Sequence, residues 1–246
     1  MILACDSRPH PDAALLSCRG VRRRQTARRA SGARAVLPPD ASVPFYACYI
    51  YSPRGYGPVA ECSRLLRTRL KDTAPMWLAK YAARVREQAE RAQFPGLFAG
   101  NAVLIPVPRS APSAHVASWA AACLANELRR CALGSAVRMA LCRTRAVRKS
   151  ATALEGTRPT VQEHYESLAV AACPLPYDNI VLVDDVITKG RTLLAAAIRV
   201  REAFPGAQVR AFALVRTMGL VPDIGRLLAP CKGVISWVGN DAHRDP

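Results

Sequence analysis

Apolar residues in the second half of the chain form short runs separated by helical patterns. Runs typical of buried strands occur at AVLIPVP (102–108), AVRMAL (136–141), IVLVDD (180–185), 209–215 and GVISWV (233–238). Apolar spacings of three and four residues predict helices over 113–130 and 190–204. Because strands and helices alternate, the sequence predicts an α/β fold with a mostly parallel sheet covered by helices on both faces.

The N-terminal part of the chain divides into an unpatterned tail and a more regular region. Residues 1–43 are rich in arginine, alanine, serine and proline and lack apolar periodicity, so we predict a disordered basic tail. The aromatic run FYACYIY (45–51) predicts a strand, and apolar spacing predicts helices over 59–70 and 74–92. One ordered domain over 44–246 is therefore expected.

The segment IVLVDDVITKGRT (180–192) places two acids and a polar turn after a strongly apolar strand. Asp184 and Asp185 stand where this strand would leave the sheet, and an alanine-rich helix follows the turn. A strand, a polar turn and a helix N-terminus form an arrangement that binds anions in α/β proteins. A Walker B aspartate would also end a buried strand, but no GxxxxGK[ST] motif precedes the pair. A response regulator carries its acidic pair near its first strand, which does not fit either.

The string VLVDDVITKGRT resembles the phosphoribosyl pyrophosphate (PRPP) binding motif of the type I phosphoribosyltransferases. Upstream, a strand ending in IPVPRSAPS, a helix, a further strand and the basic stretch RTRAVRKS follow the order of that family, and the spacing looks most like its ComF-like branch. The resemblance covers about residues 100–240. It implies a type I phosphoribosyltransferase-like parallel sheet flanked by helices, with a core at about 101–240 and a small hood at about 44–100.

The resemblance also implies an enzyme, a glycosyltransferase of nucleotide metabolism that moves a ribosyl 5-phosphate from PRPP to a base or amine acceptor and releases pyrophosphate. Carboxylates suit the vicinal hydroxyls of the ribose because they accept hydrogen bonds from both. Backbone amides and hydroxyls of the turn suit the 5-phosphate. The residues predicted to bind the ribose and the 5-phosphate are Asp184, Asp185, Val186, Ile187, Thr188, Lys189, Gly190, Arg191 and Thr192.

Two cations in this turn depart from the family pattern. Lys189 and Arg191 stand where the family loop has a small or hydroxyl residue, so one hydroxyl contact is in question and positive charge has been added. These cations could strengthen phosphate binding or point to solvent, and solvent is favoured for Arg191, because a side chain at a phosphate-binding helix start often points away from the ligand. Gly190 is expected to let the backbone approach the phosphate closely.

Further cations are predicted around the leaving group. Arg109 and Ser110 follow the first core strand at the same sheet edge and are predicted to bind pyrophosphate; the alternative for Arg109 is an exposed side chain beside a helix N-cap at Ser113. The polar interval 142–168 is predicted to be a lid that closes over the substrate and stabilises the departing charge. Its candidate cations, each with a solvated loop position as the alternative, are Arg145, Arg148, Lys149 and Arg158.

The predicted catalytic residues are Asp184, Asp185, Lys149 and Arg145. The sequence shows no dedicated metal cage, so Mg²⁺ is expected to arrive with PRPP and to touch the protein through water. His164 and Tyr165 could reach an acceptor or order the lid. Trp237 could stack on a base, although a core position is more common for such a tryptophan. The identity of the acceptor does not follow from the fold.

Charge and cysteine content bear on partners and compartment. A formal net charge of +17 favours anionic partners, but no helix-turn-helix, RNP or zinc-finger pattern supports nucleic acid. The alternative function is a PRPP-sensing regulator, or a ComF-like protein associated with nucleic acid. Nine cysteines without a CxxC pair indicate a reduced, cytoplasmic protein. No apolar run reaches the roughly 18 residues of a membrane helix, so no membrane partner is expected, while a homodimer is compatible with the pattern.

Overall fold

A computed structural model describes residues 37–112, 119–148, 158–171, 178–219, 221 and 223–246. Within these residues the strands, numbered in chain order, are β1 Ser42–Tyr51, β2 Val103–Pro106, β3 Ala136–Val137, β4 Leu141–Arg143, β5 Leu168–Val170, β6 Asn179–Ile187, β7 Gln208–Thr217, β8 Leu228–Val238 and β9 Asp241–Asp245. The helices are α1 Pro58–Lys71, α2 Pro75–Glu90, α3 Ala120–Arg130, α4 Val161–Ser167 and α5 Arg191–Ala203. No helix of this part of the chain is both long and apolar enough to cross a bilayer.

The described strands form one large sheet and one small one. The large sheet has the order β3-β2-β6-β7-β1-β8-β9, in which the first five strands run parallel and β8 and β9 are added by antiparallel pairing. Strands β4 and β5 form a separate antiparallel pair. The predicted α/β class is therefore confirmed, with a mostly parallel sheet flanked by helices, an arrangement compatible with a Rossmann-like fold.

Helices cover both faces of the large sheet. In β6, Val181 and Val183 pack in the core that α1, α2 and α3 close, while Ile180 and Leu182 pack in the core that α4 and α5 close. Successive strand residues point to opposite faces, so a strand buried on both faces carries an unbroken apolar run. This packing explains why residues 180–183 are all apolar.

Several predicted boundaries are wrong. Of the helix predicted over 113–130, the structure describes Ala120–Arg130 with Trp119 as the N-cap, while Ser113, the predicted cap, lies outside the described residues. The run AVRMAL is not one strand: it divides into β3 and β4, with Arg138 and Met139 exposed between them. Strand β9 was not predicted.

The described parts of the interval 142–168, which are 142–148 and 158–168, contain regular secondary structure. Its first residues belong to β4, and α4 occupies its end. A capping box starts α4, in which the Thr160 hydroxyl accepts from the Glu163 amide and the Glu163 carboxylate accepts from the Thr160 amide. Val161 and Tyr165 lie one helical turn apart and are buried, so this helix packs on the core.

The ordered chain also starts earlier than position 44. Strand β1 begins at Ser42, and Leu37 and Ala41 are already buried against the core on the α5 side of the sheet. Residues 37–41 are thus part of the folded domain.

Candidate functional site

The predicted site residues lie at the carboxyl edge of the parallel strands. Strands β2 and β6 are adjacent, and the Val107 amide continues their pairing by donating to the Val183 carbonyl at 2.8 Å. The segments that follow β2 and β6 therefore leave the sheet side by side. In open α/β sheets this edge is where ligands bind.

Asp184 and Asp185 are adjacent acidic residues of β6 that share charged neighbours. Asp185 is 8% exposed and forms an ion pair with the Lys71 ammonium group at the end of α1, so it belongs to the α1 face. Asp184 is half-buried, and its carboxylate interacts with Arg143 of β4, with Lys71 and with the Asp185 carboxylate. The two carboxylates are therefore close enough to influence each other's ionisation.

Electrostatic interactions in the pair make Asp184 unusually easy to protonate. Desolvation of its carboxylate and the negative charge of Asp185 raise the pKa of Asp184 above its ordinary range, while Lys71 acts in the opposite direction. Its Oδ1 accepts a hydrogen bond from the Asp185 amide at 2.9 Å. A raised carboxylate pKa at a sheet edge is common at functional sites.

The turn after β6 starts α5 with an uncapped N-terminus. Gly190 is the N-cap residue with φ of +84°, and no side chain caps this helix. The Thr188 and Thr217 hydroxyls lie 3.4 Å apart. The first amides of such a helix have no intrahelical acceptor and favour a bound anion.

Packing against β8 is a second reason for glycine at position 190, besides the predicted approach to a phosphate. A Cβ atom at this position would meet the Ile235 side chain of β8 at 2.8 Å, and its positive φ disfavours any side chain. The close approach that glycine allows in this structure is therefore to β8. Whether the backbone here also approaches a phosphate stays a prediction.

Arg191 does not face solvent, contrary to the prediction. Its side chain is 20% exposed, and its guanidinium group donates to both carboxylate oxygens of Asp241, at 2.5 and 2.6 Å. Lys189 lies 3.3 Å from the same carboxylate, and Arg191 also donates to the Pro159 carbonyl at 3.2 Å. The added cations of the turn thus bind β9, a partner 50 residues away that no local pattern indicated.

The predicted pyrophosphate segment lies at the same edge and is connected to β4. Arg109 is exposed, and its carbonyl accepts from the Arg143 Nε at 3.1 Å. The Ser110 carbonyl accepts from the Val147 amide at 2.7 Å. These backbone contacts place the segment beside the start of the predicted lid.

The predicted lid cations have separate environments. Arg145 is exposed and forms an ion pair with Glu166 at 3.1 Å. Arg148 and Arg158 are exposed, and the Arg158 carbonyl accepts from Arg191 at 3.4 Å. Lys149 lies outside the described residues.

Tyr165 and Trp237 belong to the packed interior. The Tyr165 hydroxyl donates to Glu202 at 2.7 Å, and the Arg199 guanidinium carbon lies 3.6 Å from the centre of its ring. These contacts favour the ordering role over contact with an acceptor. Trp237 packs against the core in β8, as the alternative prediction had it.

Arg143 is the site residue that sequence reasoning missed. It is buried on β4 and contacts the carbonyls of Arg109 and His164, the Ser167 hydroxyl and the His164 Nδ1 at 3.0 Å. His164 is also buried, and its Nε2 lies 3.3 Å from the Thr192 hydroxyl. Arg143 is the first residue of the basic stretch RTRAVRKS, and nothing in the sequence distinguishes a buried arginine there from a solvated one.

The carboxyl edge of the sheet therefore combines two acceptor carboxylates with a donor-rich helix start, which suits a ligand carrying both hydroxyls and an anion. In the part of the chain that the structure describes, no three histidine, cysteine or acidic side chains form a group that could hold a metal ion. Neither the models of known protein families nor the curated proteins match this sequence.

Proposed function

We propose that this protein is a type I phosphoribosyltransferase-like enzyme, which transfers the ribosyl 5-phosphate of PRPP to a base or amine acceptor and releases pyrophosphate. One observation carries the proposal: Asp184 and Asp185 lie in the last four residues of the buried strand β6, which ends at Ile187, and a polar turn and an uncapped helix start follow that strand. A sugar phosphate needs hydroxyl acceptors and anion donors a few ångströms apart, and this segment supplies both.

The carboxylates would hold the ribose. An ionised carboxylate accepts hydrogen bonds, and the 2- and 3-hydroxyls of the ribose donate them. Asp184 is half-buried, and its pKa is raised, so its neutral form is favoured in the unliganded protein. Hydrogen bonds from the ribose hydroxyls would favour its ionised form. Asp185 would exchange or share its contact with Lys71, whose side chain is 46% exposed.

The turn and the start of α5 would hold the 5-phosphate. Free amides of the first helical turn, the hydroxyls of Thr188 and Thr192 and the positive end of the helix dipole act together on an anion. Lys189 and Arg191 bind Asp241, so they would add positive potential and order the turn rather than contact the phosphate directly.

In the proposed reaction the bond between the anomeric carbon and the pyrophosphate oxygen breaks, and its electron pair leaves with pyrophosphate. The acceptor lone pair forms the new bond, and the acceptor gives up a proton. Arg109, Ser110 and the lid cations Arg145 and Lys149 are the candidates that stabilise the growing charge on pyrophosphate. Mg²⁺ would arrive with PRPP and would touch the protein through water. Bound there, Mg²⁺ would neutralise pyrophosphate oxygens.

A second candidate is a regulator that binds PRPP without turnover. The ion pair of Asp185 with Lys71 favours it, because one of the two carboxylates already has a cationic partner. The two functions differ in a single measurement: an enzyme releases pyrophosphate in the presence of Mg²⁺ and a suitable acceptor, whereas a sensor binds PRPP and leaves it intact.

The first experiment measures PRPP binding by thermal shift, with and without Mg²⁺. We expect wild-type protein to be stabilised, by about 2.7 kcal/mol when PRPP is in hundredfold excess over its dissociation constant. Asp184→Asn and Asp185→Asn should remove the shift, because a neutral amide no longer presents an acceptor-only carboxylate.

Asp40→Asn is the matched control. Asp40 is exposed just before the amino end of β1, at the opposite edge of the sheet, so this variant should keep the full shift. A wild-type protein that PRPP does not stabilise, or aspartate variants that retain the shift, would contradict the proposal. Pyrophosphate release across a panel of bases and amines then separates the enzyme from the sensor.

A further inference from the structure

A buried polar chain connects the segment after β2 to the start of α5. Arg143 is 5% exposed, and its Nε donates to the Arg109 carbonyl at 3.1 Å. Its Nη2 lies 3.0 Å from the His164 Nδ1, and the His164 Nε2 lies 3.3 Å from the Thr192 hydroxyl oxygen. The chain of contacts therefore runs from Arg109 through Arg143 and His164 to Thr192.

The contact with Arg143 determines which nitrogen of His164 carries the proton. A guanidinium group has five N–H donors and no acceptor, so it can only donate to the imidazole. The His164 Nδ1 must then be unprotonated and accept. A neutral imidazole has one N–H, which is consequently on Nε2 and points to Thr192.

The orientation of the Thr192 hydroxyl follows from this tautomer. Because Nε2 donates, the hydroxyl oxygen accepts, and the hydroxyl hydrogen must point away from His164. Thr192 is the second residue of α5, directly after the uncapped N-terminus. Its hydrogen is thus available beside the free amides of the helix start.

We propose that Arg143 and His164 are positioning residues that fix the Thr192 hydroxyl as a hydrogen-bond donor to the phosphate of the ribosyl substrate. The inference rests on the proposed function, because it assigns a role within the same phosphate site. Phosphate oxygens accept hydrogen bonds, so a hydroxyl held as a donor is ready to bind them before the ligand arrives.

The charged surroundings of His164 keep the ring neutral. It faces Arg143 from β4, Arg191 from α5 and Glu163 from its own helix. Burial, and next the positive charge of Arg143, lower the pKa of His164 to about 3. The tautomer that the geometry requires is therefore maintained through the neutral pH range.

A double-mutant cycle on PRPP affinity tests the inference. Thr192→Val and His164→Leu should each weaken binding about tenfold, because each removes one correctly oriented donor to a charged acceptor. The double variant should bind no more weakly than either single variant, since both changes remove the same contact. His164→Gln should restore part of the affinity, because its amide offers both an acceptor and a donor.

Tyr165→Phe is the matched structural control. Tyr165 lies on the same helix as His164, and the change removes a hydroxyl that donates to Glu202 of α5 while it leaves the His164 contacts in place, so PRPP affinity should not change. The ¹⁵N shifts of the His164 imidazole in the wild-type protein add a test without substitution. They should show a proton on Nε2 and none on Nδ1, and an Nδ1-protonated ring would overturn the inference.

The outcomes separate this inference from the proposed function. If wild-type protein does not bind PRPP, both fail. If wild-type protein binds PRPP and the Asp184→Asn variant does not, yet the changes at His164 and Thr192 are additive or without effect, only the positioning role fails. An unfolding transition measured for each variant shows whether a loss of affinity reflects a loss of fold.

Discussion

At the residue scale, the described part of the domain places several ionisable side chains inside the fold next to polar or charged partners. Asp185 has Lys71, Arg143 has carbonyls and the His164 ring, and His164 has Arg143 and Thr192. An unpaired buried charge is costly, so these residues constrain each other's positions. Their protonation states consequently couple stability to pH.

Stability should fall in acid because of His164. Its pKa is lowered from 6.5 to about 3 in the fold, so below about pH 6.5 the unfolded chain binds a proton there that the folded chain does not. The free energy of unfolding should therefore decrease as pH falls from about 6.5 towards 3, by at most about 1.4 kcal/mol per pH unit from this group.

Urea unfolding at a series of pH values measures this contribution. Carboxylates also titrate in this range, so the relevant quantity is the difference between wild-type protein and the His164→Gln variant, which cannot bind the proton. The variant should show a shallower pH dependence. Equal slopes in the two proteins would mean that His164 titrates normally in the fold.

At the element scale, the β8–β9 hairpin holds the turn between β6 and α5. Ile235 of β8 packs on Gly190, and Asp241 at the start of β9 binds Arg191. Arg244 of β9 donates to the carbonyls of Ile187 at 3.3 Å and Thr217 at 2.8 Å. The geometry of the candidate phosphate turn thus depends on the last two strands of the sheet.

The Gly190→Ala variant should be clearly less stable. A side chain at φ of +84° costs about 1–2 kcal/mol, and the added Cβ would also overlap Ile235 at 2.8 Å. Urea unfolding measures the loss, and PRPP-dependent thermal shift measures its effect on the site.

Gly206→Ala provides the comparison for this change. It adds the same methyl group where no atom lies within 4 Å, so it should leave stability unchanged or raise it by up to about 1 kcal/mol. If the two variants are equally stable, the contact of the turn with β8 is not important for the fold.

At the scale of the whole molecule, positive charge is unevenly distributed along the sequence. The chain has a formal net charge of +17, and residues 1–36 hold eight arginines against two aspartates. Those residues lie outside the described structure, whereas the packed domain begins by Leu37. A deletion that ends at residue 36 therefore removes much of the basic charge without removing any of β1.

Binding to nucleic acid, if the basic charge drives it, should depend steeply on salt. Fluorescence anisotropy with labelled duplex DNA should show the logarithm of the affinity falling linearly with the logarithm of the salt concentration, with a slope of about −0.9 per neutralised phosphate. Deletion of residues 1–36 should weaken binding and make the slope shallower.

A chain in which these arginines are lysines keeps the charge and should behave like wild type. Binding that does not respond to salt, or an unchanged slope after the deletion, would contradict an electrostatic role of this segment. Neither result bears on PRPP binding, which concerns the sheet edge.

The sequence by itself determined the features that depend on neighbours along the chain. Alternating apolar runs predicted the α/β class, the unbroken run 180–183 predicted a strand buried on both faces, and the acids and glycine after it predicted the turn into α5. Local patterns failed in AVRMAL, which divides between β3 and β4, because position in the fold rather than periodicity decides the ends of elements.

Only the tertiary structure decided which residues meet across elements. It paired Asp185 with Lys71, turned Arg191 towards Asp241 and buried Arg143 against His164. The partners of Asp185 and Arg191 lie 114 and 50 positions away along the chain. Sequence periodicity reports which face of an element is buried, but the packing of whole elements selects the opposing side chain.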